Sequence, residues 1–383
     1  MSVIIDTKEL AAICQKLAKN DFLTIDTEFL RERTYYPKLC LVQLAGPDID
    51  AVAVDVLDKD LDLQPLYDLL MDESVVKVFH AARQDLEIFY NHMGAVPTPI
   101  FDTQVAAMVC GLGDSIGYNN LISEICGVRL DKGAQFTDWS RRPLSGKQLS
   151  YALDDVTYLR DAYLALSSQL EEKGRKNWVI EEMDILRDPA TYENPPEIAY
   201  QRIKVRSENP KTLVILKELG AWREKEAQRR DMPRGHILRD DSLVDIAVHA
   251  PKNAHELSKS RKISKDMANG HMGAAILKCV ERALATPKNE WPKPERKKRM
   301  DPEFGAALEM LKMLLRIQAN EHGVAAKLIA SANELQEIAC DDAAGSKVLK
   351  GWRHEVFGRD AMALKAGNIS LSLENNKIKK IKS

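Results

Sequence analysis

Two carboxylates stand two residues apart at the end of an apolar run. Asp26 and Glu28, in the sequence Ile-Asp-Thr-Glu-Phe, close a hydrophobic stretch with strand character. Positions i and i+2 of a strand project to one face, so the two carboxylates would lie side by side. Adjacent carboxylates repel each other unless a cation lies between them, and hard oxygen ligands suit Mg²⁺ or Mn²⁺. The pair indicates a divalent metal site, although a solvated acidic loop fits the same two residues.

Further acidic positions follow downstream. Asp85 comes after the apolar run 75–79 and lies in the first turn of a predicted helix, where the helix dipole alone would favour a carboxylate. Tyr151 and Asp155 stand at i and i+4 on one face of another predicted helix. Asp154 is rotated by about 100° from that face and is expected to be solvated or structural. For the tyrosine alone, packing in the core is the commoner role.

The four carboxylates make one coherent site if the fold brings them together. Asp26, Glu28, Asp85 and Asp155 could then bind two divalent ions about 3.5–4 Å apart, the arrangement that stabilises the attacking and leaving oxygens of a phosphodiester displacement. Tyr151 could orient or deprotonate the attacking water. Because a phenol that titrates near pH 10 is a poor base, orientation is the favoured role.

The elements that must position these residues alternate between strands and helices. Runs 21–26, 39–44 and 51–56 are short and apolar, with no room for helices between them, and are predicted to pair antiparallel. Five further elements are predicted in order: a helix at 64–71, a strand at 75–79, a helix at 82–93, a short strand at 100–102, and a mostly helical stretch at 104–168. A meander followed by βα units predicts an α/β layer fold with a mixed sheet.

Composition limits the classes of protein that this chain can belong to. The 45% hydrophobic content of its 383 residues excludes general disorder, and no apolar run approaches the roughly 18 residues of a membrane span. The six cysteines form no CxxC pair or zinc-site spacing, and the N-terminus lacks the apolar core of a secretory signal. We therefore expect a cytoplasmic protein without a membrane partner. The lack of heptads favours a monomer.

Charge and periodicity divide the chain. Residues 1–200 hold 19 Lys+Arg against 33 Asp+Glu, whereas residues 201–383 hold 36 against 24. Linkers are predicted at 188–196 and 286–302, and after the first of them strand character returns only at 369–373. A shift of 92 residues aligns the apolar positions of two helical stretches, which indicates a duplicated module. The basic half suits a polyanionic partner, although lysine-rich helices also serve solubility alone.

The acidic motifs resemble those of the ribonuclease D family, within the tyrosine-type DEDD 3′→5′ exonucleases. Asp26-Thr27-Glu28 matches the first motif, Asp85 the second, and Tyr151 with Asp155 the third; Ser150 stands where a histidine would mark the other branch. The resemblance implies a ribonuclease-H-like exonuclease domain over residues 1–200. It also implies that Thr27 and Phe29, beside the first acidic pair, contact the terminal nucleotide.

The second motif has two neighbours that could reach the scissile phosphate or ribose, His80 and Gln84. A capping role for His80 is about as plausible as substrate contact, and the same holds for a core role of Phe29. The resemblance thus adds four substrate-binding candidates, namely Thr27, Phe29, His80 and Gln84.

The basic half resembles the HRDC module, which ribonuclease D shares with RecQ-type helicases. The resemblance rests on Trp222-Arg223, Arg230-Asp231 and the run 237–243, and it predicts an HRDC domain at 205–290. A second, diverged all-α copy is predicted at 300–375, in which Leu314 replaces the tryptophan and Gly323 replaces Asp231. Its part in binding nucleic acid is therefore doubtful.

These expectations combine into one functional prediction. The chain should be a metal-dependent 3′→5′ exoribonuclease that trims the 3′ ends of precursor tRNA and other structured RNAs and releases 5′-mononucleotides. The cofactor should be two divalent ions, Mg²⁺ or Mn²⁺. Two alternatives remain open at this point: the same chemistry acting on DNA, and a non-catalytic scaffold that binds RNA through the helical modules.

Overall fold

The computed structural model describes most of the chain and divides it into two compact units. The described residues are 3–131, 133–205, 209–293, 302–340, 343, 345–375 and 377–382. The first unit contains Met1–Glu28, Leu39–Thr191 and Lys298–Ser383; the second contains Phe29–Lys38 and Tyr192–Lys297. Within the described residues, no helix is both long enough and apolar enough to cross a bilayer.

The apolar runs of the first half form a six-stranded mixed sheet. Its strands are β1 (Val3–Ile4), β2 (Phe22–Leu30), β3 (Lys38–Gly46), β4 (Ile49–Val54), β5 (Val76–Phe79) and β6 (Ile100–Asp102). Their spatial order is β1-β4-β3-β2-β5-β6. The pairs β1–β4, β2–β5 and β5–β6 are parallel, while β3–β4 is antiparallel. The mixed sheet and the antiparallel β3–β4 pair confirm the sequence-based expectation; the edge strand β1, whose two residues carry little periodic signal, was not foreseen.

Within the described residues, seven α-helices accompany this sheet. They are α1 (Thr7–Leu17), α2 (Gln64–Met71), α3 (Arg83–Met93), α4 (Thr103–Cys110), α5 (Tyr118–Cys126), α6 (Gly146–Glu172) and α7 (Lys176–Arg187). Most of the stretch 104–168 is helical, as predicted, since α4, α5 and α6 cover the greater part of it; the described residues between α5 and α6 form no helix. Gly127, in a left-handed conformation, ends α5, and Ser145 caps the start of α6 through a capping box.

The second unit is helical apart from its extended segments. Its α-helices are α8 (Pro210–Arg230), α9 (Arg234–Ile237), α10 (Asp240–His249), α11 (Ala254–Leu257), α12 (Lys265–Asn269) and α13 (His271–Ala285). Leu216, Leu219, Leu243 and Ile276 lie in one buried apolar core that joins α8, α10 and α13. Asn209 caps the start of α8, and Asp231 ends it in a left-handed conformation with φ of 48°.

Three of the remaining helices repeat the pattern of the second unit at a fixed offset. The remaining helices are α14 (Pro302–His322), α15 (Ala326–Ile329), α16 (Ala332–Ala339), α17 (Gly351–Arg353) and α18 (Arg359–Lys365), with one π-helical turn at His354–Gly358. The bounds of α14 and α15 lie 92 residues beyond those of α8 and α9, and α16 begins 92 residues after α10. This agreement supports duplication. The predicted strand at 369–373 is part of an antiparallel hairpin of β7 (Ile369–Glu374) and β8 (Lys377–Lys382), and β8 was not foreseen.

The second repeat packs against the sheet-bearing part of its own unit. The Ala325 amide donates to the Met108 carbonyl at 2.9 Å. Trp178 of α7 and Trp352 of α17 stack with ring centroids 4.4 Å apart and planes inclined by 9°. Arg175 donates from Nη2 to the His322 carbonyl at 2.6 Å. The diverged copy is thus a structural neighbour of the sheet, while the predicted boundaries at 200, 205, 290 and 300 remain predictions.

Candidate active site

Strand β2 and helix α6 are joined by a buried hydrogen bond beside the predicted site. The Thr24 hydroxyl donates to the Val156 carbonyl at 2.8 Å, and Thr24 is fully buried. Phe22 of β2, Val78 of β5 and Leu159 of α6 share one apolar cluster below it. Because a buried hydroxyl without a partner is costly, this bond favours one register of α6 on the strand. The bond brings position 26, two residues after Thr24, next to position 155, the residue before Val156.

Those two residues are Asp26 and Asp155, and Glu28 completes a cluster with them. One carboxylate oxygen from each lies within 4.8 Å of the others, and all three side chains are half-buried. Asp26 and Glu28 reach one face of β2 because strand side chains alternate. Residues up to 129 positions apart in the chain therefore supply three hard oxygen donors to one point.

Asp85 lies beside this cluster in the first turn of α3. It is buried, and its carboxylate accepts a short hydrogen bond from the Thr27 hydroxyl. Burial raises the pKa of Asp85, and the neighbouring charge of Asp26 raises it further. The hydroxyl of Thr27 thus holds the fourth carboxylate in place, and contact between Thr27 and a nucleotide remains a prediction.

A turn that the sequence analysis missed sets the position of Asp85. Asp102, buried at the end of β6, accepts hydrogen bonds from the amides of Ala81 and Ala82, both at 2.9 Å. Ala81 has φ of 57°, a left-handed conformation that costs a residue with a Cβ roughly 1–2 kcal/mol. The Asp102 carboxylate stabilises this turn and so directs the first turn of α3. The one local signal was an aspartate directly after a short strand.

Tyr151 lies one turn before Asp155 on α6, as the i, i+4 spacing predicted. Its hydroxyl donates a hydrogen bond to the Asp155 carboxylate, and its ring lies 6.1 Å from that of the buried Trp139. Burial and the charges of Asp155, Glu28 and Asp26 all raise the pKa of Tyr151. The phenol therefore stays protonated and can orient a water molecule but cannot act as a base in this state.

Without a bound cation, the carboxyl groups of this cluster favour their neutral, protonated form. Burial raises the pKa of Asp26, and the Asp155 charge adds to this effect. Burial and the neighbouring charges of Asp26, Asp155 and Asp85 raise the pKa of Glu28 to about 10. Burial raises the pKa of Asp155 to about 7, although the hydrogen bond from Tyr151 lowers it. A divalent cation bound among these oxygens would remove the repulsion between the carboxylates. The oxygen donors at this site therefore fit a divalent metal ion.

The three other predicted contacts have different surroundings. His80 lies on the turn before α3, with its Nδ1 3.0 Å from the Thr103 hydroxyl and its ring 5.5 Å from that of Tyr118. The Thr103 hydroxyl also donates to the Phe79 carbonyl at 3.0 Å. Gln84 is exposed in the first turn of α3, and Phe29 is half-buried in β2. Nucleotide contact by any of these residues remains a prediction.

The raised pKa of Glu28 predicts an unusual stability profile in the metal-free protein. Between about pH 4.3, where an unfolded glutamate titrates, and pH 10, the folded chain holds a proton that the unfolded chain has released. Wild-type stability should therefore fall as pH rises. Glu28→Gln, which cannot titrate, should be the more stable protein in EDTA, with a gap that widens by at most about 1.4 kcal/mol per pH unit.

Urea unfolding at pH 6, 7.5 and 9 measures that gap. The exposed Glu124→Gln, on helix α5, is the matched control and should show no widening. Added Mg²⁺ should reverse the order by stabilising wild type more than Glu28→Gln. A constant gap across the pH range would contradict the close placement of the carboxylates.

Comparison with family models gives two matches along the chain. A model described as 3′-5′ exonuclease matches residues 1–171, and one described as HRDC domain matches residues 212–280. The first covers all four carboxylates and Tyr151. The second covers most of helices α8 to α13.

Known proteins resemble the chain over its whole length. Ribonuclease D of Nitrobacter hamburgensis is 49% identical over 381 residues, which cover 100% of this chain and 99% of the relative. Ribonuclease D of Granulibacter bethesdensis is 45% identical and covers 99% and 96%, respectively. The crystal structure of Escherichia coli RNase D, described as an exoribonuclease involved in structured RNA processing, superposes with a TM-score of 0.82 at 29% identity over 96% of this chain and 98% of that one. The catalytic core of RRP6 from Trypanosoma brucei shares the fold, with a TM-score of 0.55 at 22% identity over 74% and 79% of the two chains.

Proposed function

Because the chain belongs to the ribonuclease D family and is a 3′-5′ exoribonuclease with a ribonuclease-H-like exonuclease domain and an HRDC domain, we propose that it trims the 3′ ends of precursor tRNA and other structured RNAs. Each cycle removes one nucleotide as a 5′-monophosphate. The observation that carries this proposal is the meeting of Asp26, Glu28 and Asp155 within 4.8 Å. The whole-length likeness to relatives named ribonuclease D supports RNA as the substrate class.

Exonucleases of this kind depend on divalent metal ions, and the acidic cluster supplies suitable donors. We propose two ions, Mg²⁺ or Mn²⁺, held by Asp26, Glu28, Asp85 and Asp155. Such ions lower the pKa of a water nucleophile and neutralise the charge that develops on the leaving 3′ oxygen. The raised pKa values of the four carboxyls support this assignment, since each proton would give way to a cation.

The side chains around the cluster have separate roles in this proposal. Tyr151 donates to Asp155 and turns its hydroxyl oxygen towards the attacking water, which it orients by a hydrogen bond. Thr27 holds Asp85 in place, and the buried Thr24 keeps Asp155 against β2. Phe29, with an aromatic face on the strand beside Glu28, is proposed to stack on the terminal base.

The substrate-binding region beyond the cleft is proposed to lie on the HRDC helices. Residues 201–383 carry 36 basic against 24 acidic residues, which supports attraction of the RNA backbone. Arg202, Arg234 and Arg239 line one cavity of about 820 Å³ in the second unit. Phosphate contacts of this kind position an RNA without reading its sequence. We further propose that the protein acts as a monomer in the cytoplasm.

Incubation with a 3′-extended tRNA, with and without EDTA, tests the proposal. We expect loss of single 3′ nucleotides in Mg²⁺ and no shortening in EDTA, followed on sequencing gels and by chromatography of the released mononucleotides. Matched RNA and DNA oligomers in the same assay separate an exoribonuclease from a DNA exonuclease. Binding of the tRNA without any released nucleotide would instead favour the scaffold alternative.

A further inference from the structure

The ten residues that follow Glu28 belong to the second unit rather than to the sheet-bearing one. Phe29–Lys38 includes the end of β2, the irregular segment 31–37 and the first residue of β3. The segment continues directly from the strand that carries Asp26 and Glu28. The segment and the two carboxylates therefore share one continuous stretch of backbone.

The backbone of this segment is held by the end of helix α8. Asp231 accepts hydrogen bonds at its Oδ1 from the amides of Tyr35 and Tyr36, both at 3.0 Å. These are charge-assisted bonds, about twice as strong as bonds between neutral groups. Asp231 adopts φ of 48° at the end of the helix, which turns its carboxylate towards the two amides.

The side chain of Tyr35 is held by three residues of α8 and α9. Its hydroxyl donates to the Glu224 carboxylate and accepts from Arg234 Nη2 at 2.9 Å and Gln228 Nε2 at 3.2 Å. The Arg234 guanidinium lies 4.7 Å from the centre of the Tyr35 ring, a cation–π contact. The phenol therefore has each of its hydrogen-bonding groups occupied while its ring is covered.

Glu224 makes this arrangement sensitive to the loss of any one partner. Its side chain is 1% exposed and accepts two bonds from Arg234, at 2.6 Å from Nε and 2.5 Å from Nη2. Burial raises the pKa of Glu224, but the bonds from Arg234 and Tyr35 outweigh burial and lower it, so the carboxylate is charged at neutral pH. A buried charge with fewer donors costs several kcal/mol. We call Asp231, Glu224, Gln228 and Arg234, with Tyr35 between them, the tyrosine clamp.

We propose that the tyrosine clamp positions the segment after Glu28 for catalysis, so that the HRDC domain contributes to the rate of hydrolysis and not only to RNA affinity. This inference rests on the proposed roles of Asp26 and Glu28. Without the clamp, the irregular segment 31–37 that continues from β2 would sample many more conformations. The clamp orders this segment when the protein folds, so RNA binding does not have to supply the free energy for ordering it. Tyr35 and Asp231 are thus positioning residues that act through the segment they hold.

The duplicated module offers a conservative way to test the clamp. Gly323 stands 92 residues after Asp231 and ends α14 with φ of 56°. Asp231→Gly therefore preserves the left-handed helix end, which glycine adopts without strain, and removes the acceptor of the two amides. Asp231→Asn keeps a side-chain oxygen acceptor in a conformation that asparagine tolerates. The control is Glu218→Gln. Glu218 lies elsewhere on α8, and this change removes its ion pair with Arg282 of α13.

Hydrolysis of a trinucleotide RNA in Mg²⁺ distinguishes positioning from RNA binding. Two phosphodiester groups are too few for the contacts by which a basic domain raises affinity, so the trinucleotide reports on the cleft. Misplacement by 1 Å can cost about a hundredfold in rate, and we expect Asp231→Gly to lower kcat by about tenfold with KM changed by less than about twofold. Asp231→Asn should recover most of kcat, and Glu218→Gln should match wild type. Thermal unfolding of all four proteins checks that each is folded at the assay temperature.

Three outcomes would overturn the inference. If the wild-type protein is active and Asp231→Gly has the same kcat, the clamp has no positioning role. The proposed function would be unaffected by that result. An equal loss in Glu218→Gln assigns the effect to general destabilisation of α8. No hydrolysis by the wild-type protein in Mg²⁺ would overturn the proposed function and the inference together.

Discussion

Asp155→Asn is expected to lower kcat by about a thousandfold or more, since a divalent ion supplies several kcal/mol of transition-state stabilisation and this change weakens its site. The amide keeps the size of the carboxylate and can still accept from Tyr151, so helix α6 should stay in place. Burial already raises the pKa of Asp155 to about 7, which means that the folded metal-free chain loses little when the charge is removed. Loss of activity should therefore come without loss of stability.

The neighbouring residue supplies the control for this change. Asp154 lies on the same helix, and its backbone carbonyl rather than its carboxylate accepts the hydrogen bond from Tyr118. Asp154→Asn should leave kcat within about twofold of wild type, since the changed oxygens are not part of the cluster within 4.8 Å. The measurement is single-turnover release of labelled 3′ nucleotide across a range of Mg²⁺ concentrations. Retained activity in Asp155→Asn at saturating Mg²⁺ would contradict its role as a ligand.

Tyr151→Phe is expected to lower kcat by about a hundredfold, because the attacking water loses the hydroxyl that orients it and misplacement by 1 Å can cost about that much in rate. The ring and its contact with Trp139 remain, so the lost element is the hydroxyl alone. KM should change little because the hydroxyl is proposed to orient the attacking water rather than to bind the nucleotide.

Tyr163→Phe is the matched control for the hydroxyl. Tyr163 lies on the same helix and packs its ring 4.5 Å from Phe22 and 4.9 Å from Phe101. Tyr163→Phe removes a hydroxyl elsewhere on α6 and so tests whether loss of any hydroxyl from this helix disturbs the site. Equal rates for Tyr151→Phe and wild type would assign Tyr151 to packing. Equal losses in both variants would indicate a general disturbance of the helix.

The local pattern of the chain was sufficient to identify the chemistry. Asp26 and Glu28 share a face because strand side chains alternate, and Tyr151 and Asp155 share a face because one helical turn separates them. Both relations depend on backbone geometry over a few residues, so they hold before any long-range packing is known. The 92-residue offset between the helical modules is of the same kind, since it needs only the comparison of two stretches of the chain.

The supports of the site could not be found in this way, because each is a contact between residues far apart in the chain. Thr24 meets Val156 across 132 positions, and Asp102 stabilises a turn whose left-handed Ala81 no propensity would predict. Tyr35 meets Glu224 across 189 positions in a clamp that neither segment suggests alone. Side-chain periodicity says which face a residue occupies but not which other face it meets, and that choice depends on how buried polar groups find partners when the whole chain packs.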